Sequence, residues 1–338
     1  MEYFVNESLL KKQKNISSTQ DYTISYEDGS KSIDILMGNT SYIFGYTDKE
    51  ILTAVQNANI QFIKNSYLEK SNELEHVVKN MFRYSGMKGI SWTLSGTDAV
   101  EHGIHMNDAY WKKVNPEKTK ILSLYPSYHG SSYLTIALRG EYKIDRSVLV
   151  KAPIWRDVEQ REQEENKCLS KIETKLKKDK DIGLLVVEAI PWIDGLKKFS
   201  NDFWKRARNL CDEHNVNLMI DDCAGSFGKM GRVFSHTSFG IQPDIVVCAK
   251  ALTGGYTPLS AALCNEKLEE VLRNHHWSHT HTWTPNAVGI ACASVVFDKI
   301  DNGAYDIIPE INSKMKNALS NTPFKWRDNG GLLFDIIY

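Results

Sequence analysis

Lys250 is a lysine whose position in the sequence suggests chemistry. It follows the apolar run Ile245-Val-Val-Cys-Ala and precedes Ala-Leu-Thr-Gly-Gly. β-Branched residues followed by turn residues predict a short buried strand that ends beside this lysine. Because an ammonium group is rarely buried without a partner, Lys250 is either an exposed strand-end lysine or an amine that forms a Schiff base with an aldehyde cofactor. The segment alone leaves both interpretations open.

Two acidic residues, Asp221 and Asp222, follow a second apolar run, Leu218-Met-Ile220. A carboxylate at a buried strand end needs a charged or hydrogen-bonding partner. The protonated nitrogen of a pyridine ring is such a partner, and a helix or turn cap is the alternative use of either acid. Asp221 precedes Lys250 by 29 residues. This spacing suits one crossover between neighbouring strands, so both side chains are expected to face one ligand.

Two loops between these predicted strands and helices have residues suited to ligand binding. Ser95-Gly96-Thr97 stands between a strand and a helix, where exposed backbone N–H groups favour an anion such as phosphate. A plain helix cap is the alternative for this loop. Tyr128 lies beside His129 and Gly130 after another strand. Such an aromatic ring can stack on a planar cofactor or simply cover the core.

The elements that carry these residues alternate between strands and helices from about residue 90 to 265, which predicts an α/β fold with a mostly parallel central sheet flanked by helices. Residues 1–60 are predicted to be an irregular arm followed by a helix at 48–58. The charged stretch 156–180 is typical of a solvated helix and loop. The predicted strands are 90–94, 120–124, 182–188, 216–221, 245–249 and 260–263, and the predicted helices are 97–113, 168–177, 203–214 and two within 286–318, before a β segment at 323–338.

Composition excludes several classes of function. The net charge is -1, so nothing favours binding to nucleic acid or to an anionic membrane. The N-terminus lacks the features of a signal peptide, no apolar run is long enough to span a membrane, and six scattered cysteines suggest reduced thiols, so a cytoplasmic protein is expected. The spacing of His275, His276, His279 and His281 fits no standard zinc pattern, and no metal site is predicted.

Together these motifs resemble the class III (ornithine/ω-amino acid type) aminotransferases, which are fold-type I pyridoxal-phosphate enzymes. The resemblance extends from about residue 25 to 335. It is carried by Ser95-Gly-Thr-Asp-Ala, Tyr128-His-Gly, Val187-Glu188, Asp221-Asp-Cys-Ala-Gly-Ser-Phe-Gly-Lys-Met-Gly, Pro243-Asp-Ile-Val-Val-Cys-Ala-Lys250-Ala-Leu-Thr-Gly-Gly and His281-Thr-Trp-Thr-Pro-Asn.

The resemblance implies a role for each matching residue. Lys250 would form the Schiff base with pyridoxal 5'-phosphate and shuttle a proton, and Asp221 would hold the pyridine nitrogen. Both are the expected catalytic residues. The expected cofactor-binding residues also include Ser95, Gly96 and Thr97 around the phosphate, Tyr128 and Cys223 on the two ring faces, His129 and Glu188 nearby, and Thr282, which would reach the phosphate of a second subunit.

The chain also departs from the family. The resemblance implies that family members usually have about 100 further residues in a C-terminal lobe, which holds the arginine for the substrate carboxylate. A small, truncated second lobe is therefore expected in this chain. Arg139 is one candidate replacement, and a surface arginine is the alternative. The expected division is an N-terminal arm and small-lobe segment at 1–60, a large cofactor-binding domain at 61–295 and a truncated lobe at 296–338.

The function implied is transfer of an amino group from an amine or amino acid donor to a carbonyl acceptor, in a homodimer with shared active sites. Two kinds of alternative remain open. An aminomutase or a decarboxylating transaminase would use the same cofactor for another reaction. A non-catalytic pyridoxal-phosphate-binding homologue would retain the fold without turnover.

Overall fold

The computed structural model describes residues 14–58, 71–155, 158–193, 195–279 and 281–337. The strands are β1 (Ile16–Gln20), β2 (Thr23–Tyr26), β3 (Lys31–Ile33), β4 (Gly89–Thr93), β5 (Lys120–Tyr125), β6 (Ser147–Lys151), β7 (Ile182–Glu188), β8 (Asn217–Asp221), β9 (Ile245–Cys248), β10 (Ser260–Cys264), β11 (Lys325–Asp328) and β12 (Phe334–Ile337). The longer helices are α1 (Lys49–Asn57), α2 (Asn72–Ser85), α3 (Gly96–Val114), α4 (Tyr133–Leu138), α5 (Arg161–Lys178), α6 (Asn201–Glu213), α7 (Glu266–Asn274), α8 (Ala287–Asp301) and α9 (Ile308–Ser320).

A seven-stranded sheet forms the centre of the fold, in the order β4-β10-β9-β8-β7-β5-β6. The pairs from β9 to β6 are parallel, while β10 runs antiparallel to both β4 and β9. All seven residues of β7 are buried, because helices cover both faces of a parallel sheet. The predicted mostly parallel α/β sheet is therefore confirmed.

The carboxyl ends of the parallel strands share one edge, and this edge carries the polar residues noted in the sequence. Asp221 is the last residue of β8, and Glu188 is the last residue of the adjacent β7. Lys250 lies two residues beyond β9, which pairs with β8 on its other side. The sheet order thus brings residues from three consecutive strand ends together.

The helix α5 shows how a highly charged segment folds on this scaffold. Its exposed side is charged, while Cys168, Leu169, Ile172 and Leu176 are buried. The predicted solvated helix is therefore amphipathic, with one side packed on the domain. Residues 156 and 157 of the charged stretch lie outside the described residues.

The N-terminal part differs from the irregular arm that its sequence suggested. β1, β2 and β3 form a three-stranded antiparallel sheet. Hydrophobic periodicity gives no signal for these strands, because they are short and polar and contain no buried residue. Only the resemblance of Asp28-Gly29 and Ile33-Asp34 to the family's early strand and turn pointed to part of this sheet. Residues 1–13, and the predicted boundary between residues 60 and 61, lie outside the described residues.

The C-terminal part consists of α8, α9 and the hairpin of β11 and β12, as the sequence predicted. The Leu332 backbone N–H donates to the Lys229 carbonyl (2.8 Å), which fastens this hairpin to the large domain. Among the described residues, no helix has the length and apolar character needed to cross a bilayer.

Candidate active site

A cavity of about 390 Å³ opens at the edge where the parallel strands end. It contains Asp221 from the end of β8 and Lys250 from the segment after β9. Its lining is Asn39, Gly96, Thr97, Tyr128, His129, Gly130, Glu188, Trp192, Asp221, Cys223, Ala224 and Lys250. Eight of the ten predicted site residues therefore line this cavity. Ser95 and Thr282 are not among the lining residues.

Lys250 begins a single 3₁₀ turn, Lys250–Thr253, and is half-buried. Its φ of 57° places a residue with a side chain in the left-handed region, which is uncommon. The Nζ atom lies 5.3 Å from the centroid of the Trp192 ring. Lys250 is thus neither a freely exposed surface lysine nor a fully buried one, and its amine faces the cavity beside an aromatic wall.

Asp221 is held by two hydrogen bonds at the floor of the cavity. His129 Nδ1 lies 2.9 Å from Asp221 Oδ2, and the Cys223 backbone N–H donates to Asp221 Oδ1 (3.2 Å). Burial alone would lower the pKa of His129, but the hydrogen bond and charge of Asp221 outweigh it, so this pKa is raised. The two hydrogen bonds therefore fix the orientation of the Asp221 carboxyl group, which lines the cavity.

Glu188 links two loops above the end of β7. Its Oε2 atom accepts the backbone N–H of Tyr128 (3.0 Å), and its Oε1 atom accepts that of Trp192 (3.1 Å). Burial raises the pKa of Glu188 to about 7, although the charge of His129 and the two backbone donors oppose the rise. One buried carboxylate thereby positions both aromatic residues that line the cavity.

The amino-terminal end of α3 forms another wall. Ser95 is the N-cap, and its hydroxyl accepts the Asp98 backbone N–H (3.2 Å). Its part in binding a phosphate stays a prediction. Gly96 and Thr97 instead border the cavity. A Cβ atom on Gly130 would lie 2.5 Å from Thr97 Oγ1, so only glycine allows this close approach of the two loops.

Tyr128 and Cys223 line the cavity, and Arg139 lies behind Tyr128. The Arg139 guanidinium is 4.7 Å from the Tyr128 ring centroid, donates to the Gly130 carbonyl (3.0 Å) and pairs with Glu141. Arg139 therefore supports the aromatic loop and is not a lining residue of the cavity. Burial raises the pKa of the Cys223 thiol well above its usual value, which favours a packing role over a reactive thiolate.

Thr282 is exposed and lies away from the cavity lining. Among the nearby histidines, His279 Nδ1 lies 3.1 Å from His105 Nδ1, and the His102 and His279 ring centroids are 3.8 Å apart. No group of three or more His, Cys, Asp or Glu side chains within the described ranges has an arrangement suited to a metal ion.

A second acid and a second lysine lie beneath the cavity. Asp222 accepts the Ser235 backbone N–H (2.7 Å) and hydroxyl (2.6 Å), and burial raises its pKa to about 7. Lys229 is fully buried, and its Nζ has no hydrogen-bond partner among the described residues. Burial and the charge of Lys250 lower the pKa of Lys229 to about 7, while Asp222 opposes this shift. Asp222 and Lys229 therefore interact electrostatically with each other, and Lys229 also interacts with Lys250 in the cavity.

Four residues of the cavity lining were not predicted as site residues, and one of them, Gly130, directly follows Tyr128 and His129. Asn39 comes from the turn Met37–Thr40, Trp192 from the loop after β7, and Ala224 from the segment after β8. The sequence does not indicate that Asn39 lies at the site, because its turn is more than 50 residues before the first predicted motif, Ser95-Gly96-Thr97. The position of Trp192 could have been predicted, because Ala-Ile-Pro-Trp follows Glu188 directly. A residue so close to the end of β7 lies near the edge of the sheet that carries the site.

The comparison with a protein-family model decides the identity of this scaffold. The model for aminotransferase class-III matches residues 7–324. The chain belongs to the class III aminotransferases.

Relatives and solved structures agree with this family. The class III aminotransferase described here is 24% identical over 277 residues to the acetylornithine aminotransferase of Aquifex aeolicus, which covers 81% of this chain and 70% of the relative. It is 24% identical over 300 residues to the adenosylmethionine-8-amino-7-oxononanoate aminotransferase of Geobacter sulfurreducens, covering 81% of this chain and 66% of that one. A solved amine transaminase from an uncultivated Pseudomonas species, in its pyridoxal-phosphate-bound form, shares the fold with a TM-score of 0.82 and 22% identity, over 94% of this chain and 77% of that chain.

Class III aminotransferases use pyridoxal phosphate, and the cavity of this one has groups that fit it. The Nε2 atom of His129 is buried without a hydrogen-bond partner among the described residues, at the cavity wall. Asp221 offers a fixed carboxylate to a ring nitrogen, and the end of α3 offers backbone N–H groups to a phosphate. The Lys250 amine faces the same space. The residues present therefore suit an anionic, heteroaromatic aldehyde.

Proposed function

We propose that this class III aminotransferase transfers an amino group at the cavity of Asp221 and Lys250, from an amine or amino acid donor to a carbonyl acceptor. The observation that carries the proposal is that these two side chains come from adjacent parallel strands and line one cavity. When bound, pyridoxal phosphate supplies an aldehyde that condenses with amines and a ring that withdraws electrons.

The residues of the chain have separate tasks in this proposal. Lys250 is the covalent attachment point and afterwards moves a proton at the amine-bearing carbon. Asp221, oriented by His129 and Cys223 N–H, keeps the ring nitrogen protonated. Gly96 and Thr97 bind the phosphate at the end of α3, with Ser95 capping that helix. Tyr128 and Cys223 pack on opposite faces of the ring.

We extend the proposal to assembly and organisation. A homodimer in which Thr282 reaches the phosphate of the other subunit is supported by the exposure of Thr282 and its neighbour Trp283. The division into 1–60, 61–295 and 296–338 is supported by the central sheet, whose strands all lie between residues 89 and 264. A cytoplasmic location is supported by the six cysteines, which are all free thiols.

Covalent trapping tests the central role of Lys250. The purified protein is loaded with pyridoxal phosphate, reduced with borohydride, digested and examined by mass spectrometry. We expect the cofactor mass on the peptide that contains Lys250, and none after Lys250→Ala substitution. The exposed Lys143→Ala variant is the matched control and keeps the labelled peptide. Labelling that persists in Lys250→Ala, or that falls on another lysine in the unaltered protein, contradicts the proposal.

A product assay separates transamination from the alternative reactions. Donor amines and keto acids are incubated with the loaded protein, and products are quantified. Transfer gives one new carbonyl compound for each new amine. An isomerised amine, carbon dioxide release or the absence of any product would instead support the aminomutase, the decarboxylating transaminase or the non-catalytic homologue.

A further inference from the structure

Trp192 lies in the cavity beside the amine of Lys250. Its ring centroid lies 5.3 Å from Lys250 Nζ, and its half-buried side chain lines the same cavity. No role was assigned to this residue from the sequence, and the proposed attachment of the cofactor does not use it.

A hydrogen bond of its backbone holds Trp192 close to the end of β7. Its backbone N–H donates to Glu188 Oε1 (3.1 Å), while the other oxygen of the same carboxylate binds the Tyr128 backbone N–H (3.0 Å). Glu188 is itself the last residue of β7, a fully buried strand. The backbone of Trp192 is therefore anchored to the end of β7, beside Lys250.

The exchange of amines places substrate groups against this indole. A donor nitrogen replaces the nitrogen of Lys250 on the aldehyde carbon, so the donor's amine-bearing carbon lies one bond from the place that Nζ holds. Substituents on that carbon are then within contact distance of a ring 5.3 Å away. An indole face attracts aromatic and apolar groups through packing and ring geometry.

The same face disfavours a carboxylate at that position. The face of an aromatic ring carries the negative part of its quadrupole, which attracts cations and repels anions. A carboxylate that leaves water without a hydrogen-bonding or cationic partner also loses solvation. Both effects act in the same direction, against donors that carry a carboxylate on the reacting carbon and point it at Trp192.

We propose that Trp192 is a specificity-determining residue, which selects primary amines with an aromatic or flat apolar group on the amine-bearing carbon over α-amino acids. This inference rests on the proposed function, because it uses the position of Lys250 Nζ as the reacting position. Glu188 acts through Trp192 and is a positioning residue.

Single-turnover spectroscopy tests the selection. The protein loaded with pyridoxal phosphate is mixed with benzylamine or with alanine, and the loss of the aldehyde-form absorbance is followed without an acceptor. We expect the ratio of the two apparent second-order rate constants to fall by about tenfold or more in Trp192→Ala, because the ring contact is lost. Trp192→Phe keeps a ring and should keep most of the preference. Trp326→Leu, a tryptophan of β11 outside the cavity lining, is the matched control and should retain the full ratio.

A binding measurement adds a readout that does not need turnover. Borohydride fixes the cofactor and abolishes chemistry, and benzyl alcohol or lactate, the hydroxyl analogues of benzylamine and alanine, is then titrated against the cofactor absorbance. We expect Trp192→Ala to weaken binding of the aromatic alcohol by about tenfold. Binding of lactate should become tighter, because the ring face that disfavours its carboxylate is removed. If Trp192→Ala and the unaltered protein have the same ratio of rate constants, or the same affinity for the aromatic alcohol, the role of Trp192 in specificity is overturned while the proposed function stands. If no amine changes the spectrum of the unaltered protein, both are overturned.

Discussion

His129 Nδ1 lies 2.9 Å from Asp221 Oδ2, although 92 positions separate the two residues in the chain. One residue comes from the loop after β5 and the other from the end of β8, with β7 between these strands in the sheet. The contact therefore spans a neighbouring strand and, together with the Cys223 backbone N–H, fixes the orientation of the Asp221 carboxyl group. At cofactor sites, a residue that contacts the cofactor is commonly oriented by a neighbouring residue, as Asp221 is by His129.

Replacing His129 with Ala should weaken binding of pyridoxal phosphate by about tenfold, because Asp221 loses a charge-assisted hydrogen bond. Absorbance titration of the apoprotein with the cofactor measures this effect. His129→Asn retains an N–H donor and should recover part of the affinity. Equal affinities in His129→Ala and the unaltered protein would mean that Asp221 is held well enough by the Cys223 backbone N–H alone.

Glu188 predicts a pH dependence of folding stability. Its pKa of about 7 in the folded protein exceeds the ordinary value of 4.5, so between these values the folded state holds a proton that the unfolded chain releases. The free energy of unfolding therefore falls as pH rises from 4.5 to 7, by on the order of 1–3 kcal/mol from this residue. Glu188→Gln should reduce the difference between apoprotein urea unfolding at pH 5 and pH 7. Parallel pH curves for the two proteins would contradict this assignment.

Asp222 and Lys229 are expected to depend on each other. Both groups have a pKa of about 7, so at pH 7 each is partly ionised and the charge of Asp222 favours the Lys229 ammonium. Asp222→Asn removes this charge and should lower the free energy of unfolding by about 1–3 kcal/mol at pH 7. The Lys229 amine becomes neutral as pH rises, so the loss in Asp222→Asn should be smaller at pH 9 than at pH 7.

The double variant Asp222→Asn/Lys229→Met is the control for this pair. It removes both ionisable groups, so it should be more stable than Asp222→Asn at pH 7. Urea unfolding of the four proteins at both pH values completes a double-mutant cycle. Additive effects of the two substitutions would show that the groups do not interact.

Thr282 predicts complementation between subunits. Lys250→Ala and Thr282→Val chains are each expected to be defective, but a mixed dimer contains one site with both native residues. Random pairing should restore about a quarter of the unaltered activity after the two variants are mixed and reassembled. Mixed dimers that form, as shown by mass spectrometry of intact complexes, but remain inactive would exclude a shared site that uses Thr282.

The fold was predictable where burial leaves a pattern in the sequence. β7, β8 and β9 are buried on both faces, so each is a continuous apolar run, and the polar residues at their ends stand out. The family resemblance then gave Asp221 and Lys250 their roles. Both residues line the cavity that the sheet order creates.

Other parts of the site have no such pattern. Ser95 suits both a helix cap and an anion site in sequence, and its hydrogen bond to the Asp98 N–H, which shows the cap, could not be predicted from spacing alone. Arg139 was a candidate for substrate binding, yet the carbonyl of Gly130 and the side chain of Glu141 engage it behind Tyr128. These outcomes depend on side-chain partners brought together by tertiary folding, which spacing along the chain does not encode.

The antiparallel strand β10 imposes an order on biosynthesis. Its first residue, Ser260, donates its hydroxyl hydrogen to the Ser95 carbonyl (2.8 Å) across 165 positions of the chain. β4, the edge strand that leads into α3, pairs with the rest of the sheet through β10. A nascent chain on the ribosome has made β4, Gly96 and Thr97 long before β10 exists. The strand that leads into the phosphate loop therefore joins the sheet only after residue 264 has been synthesised.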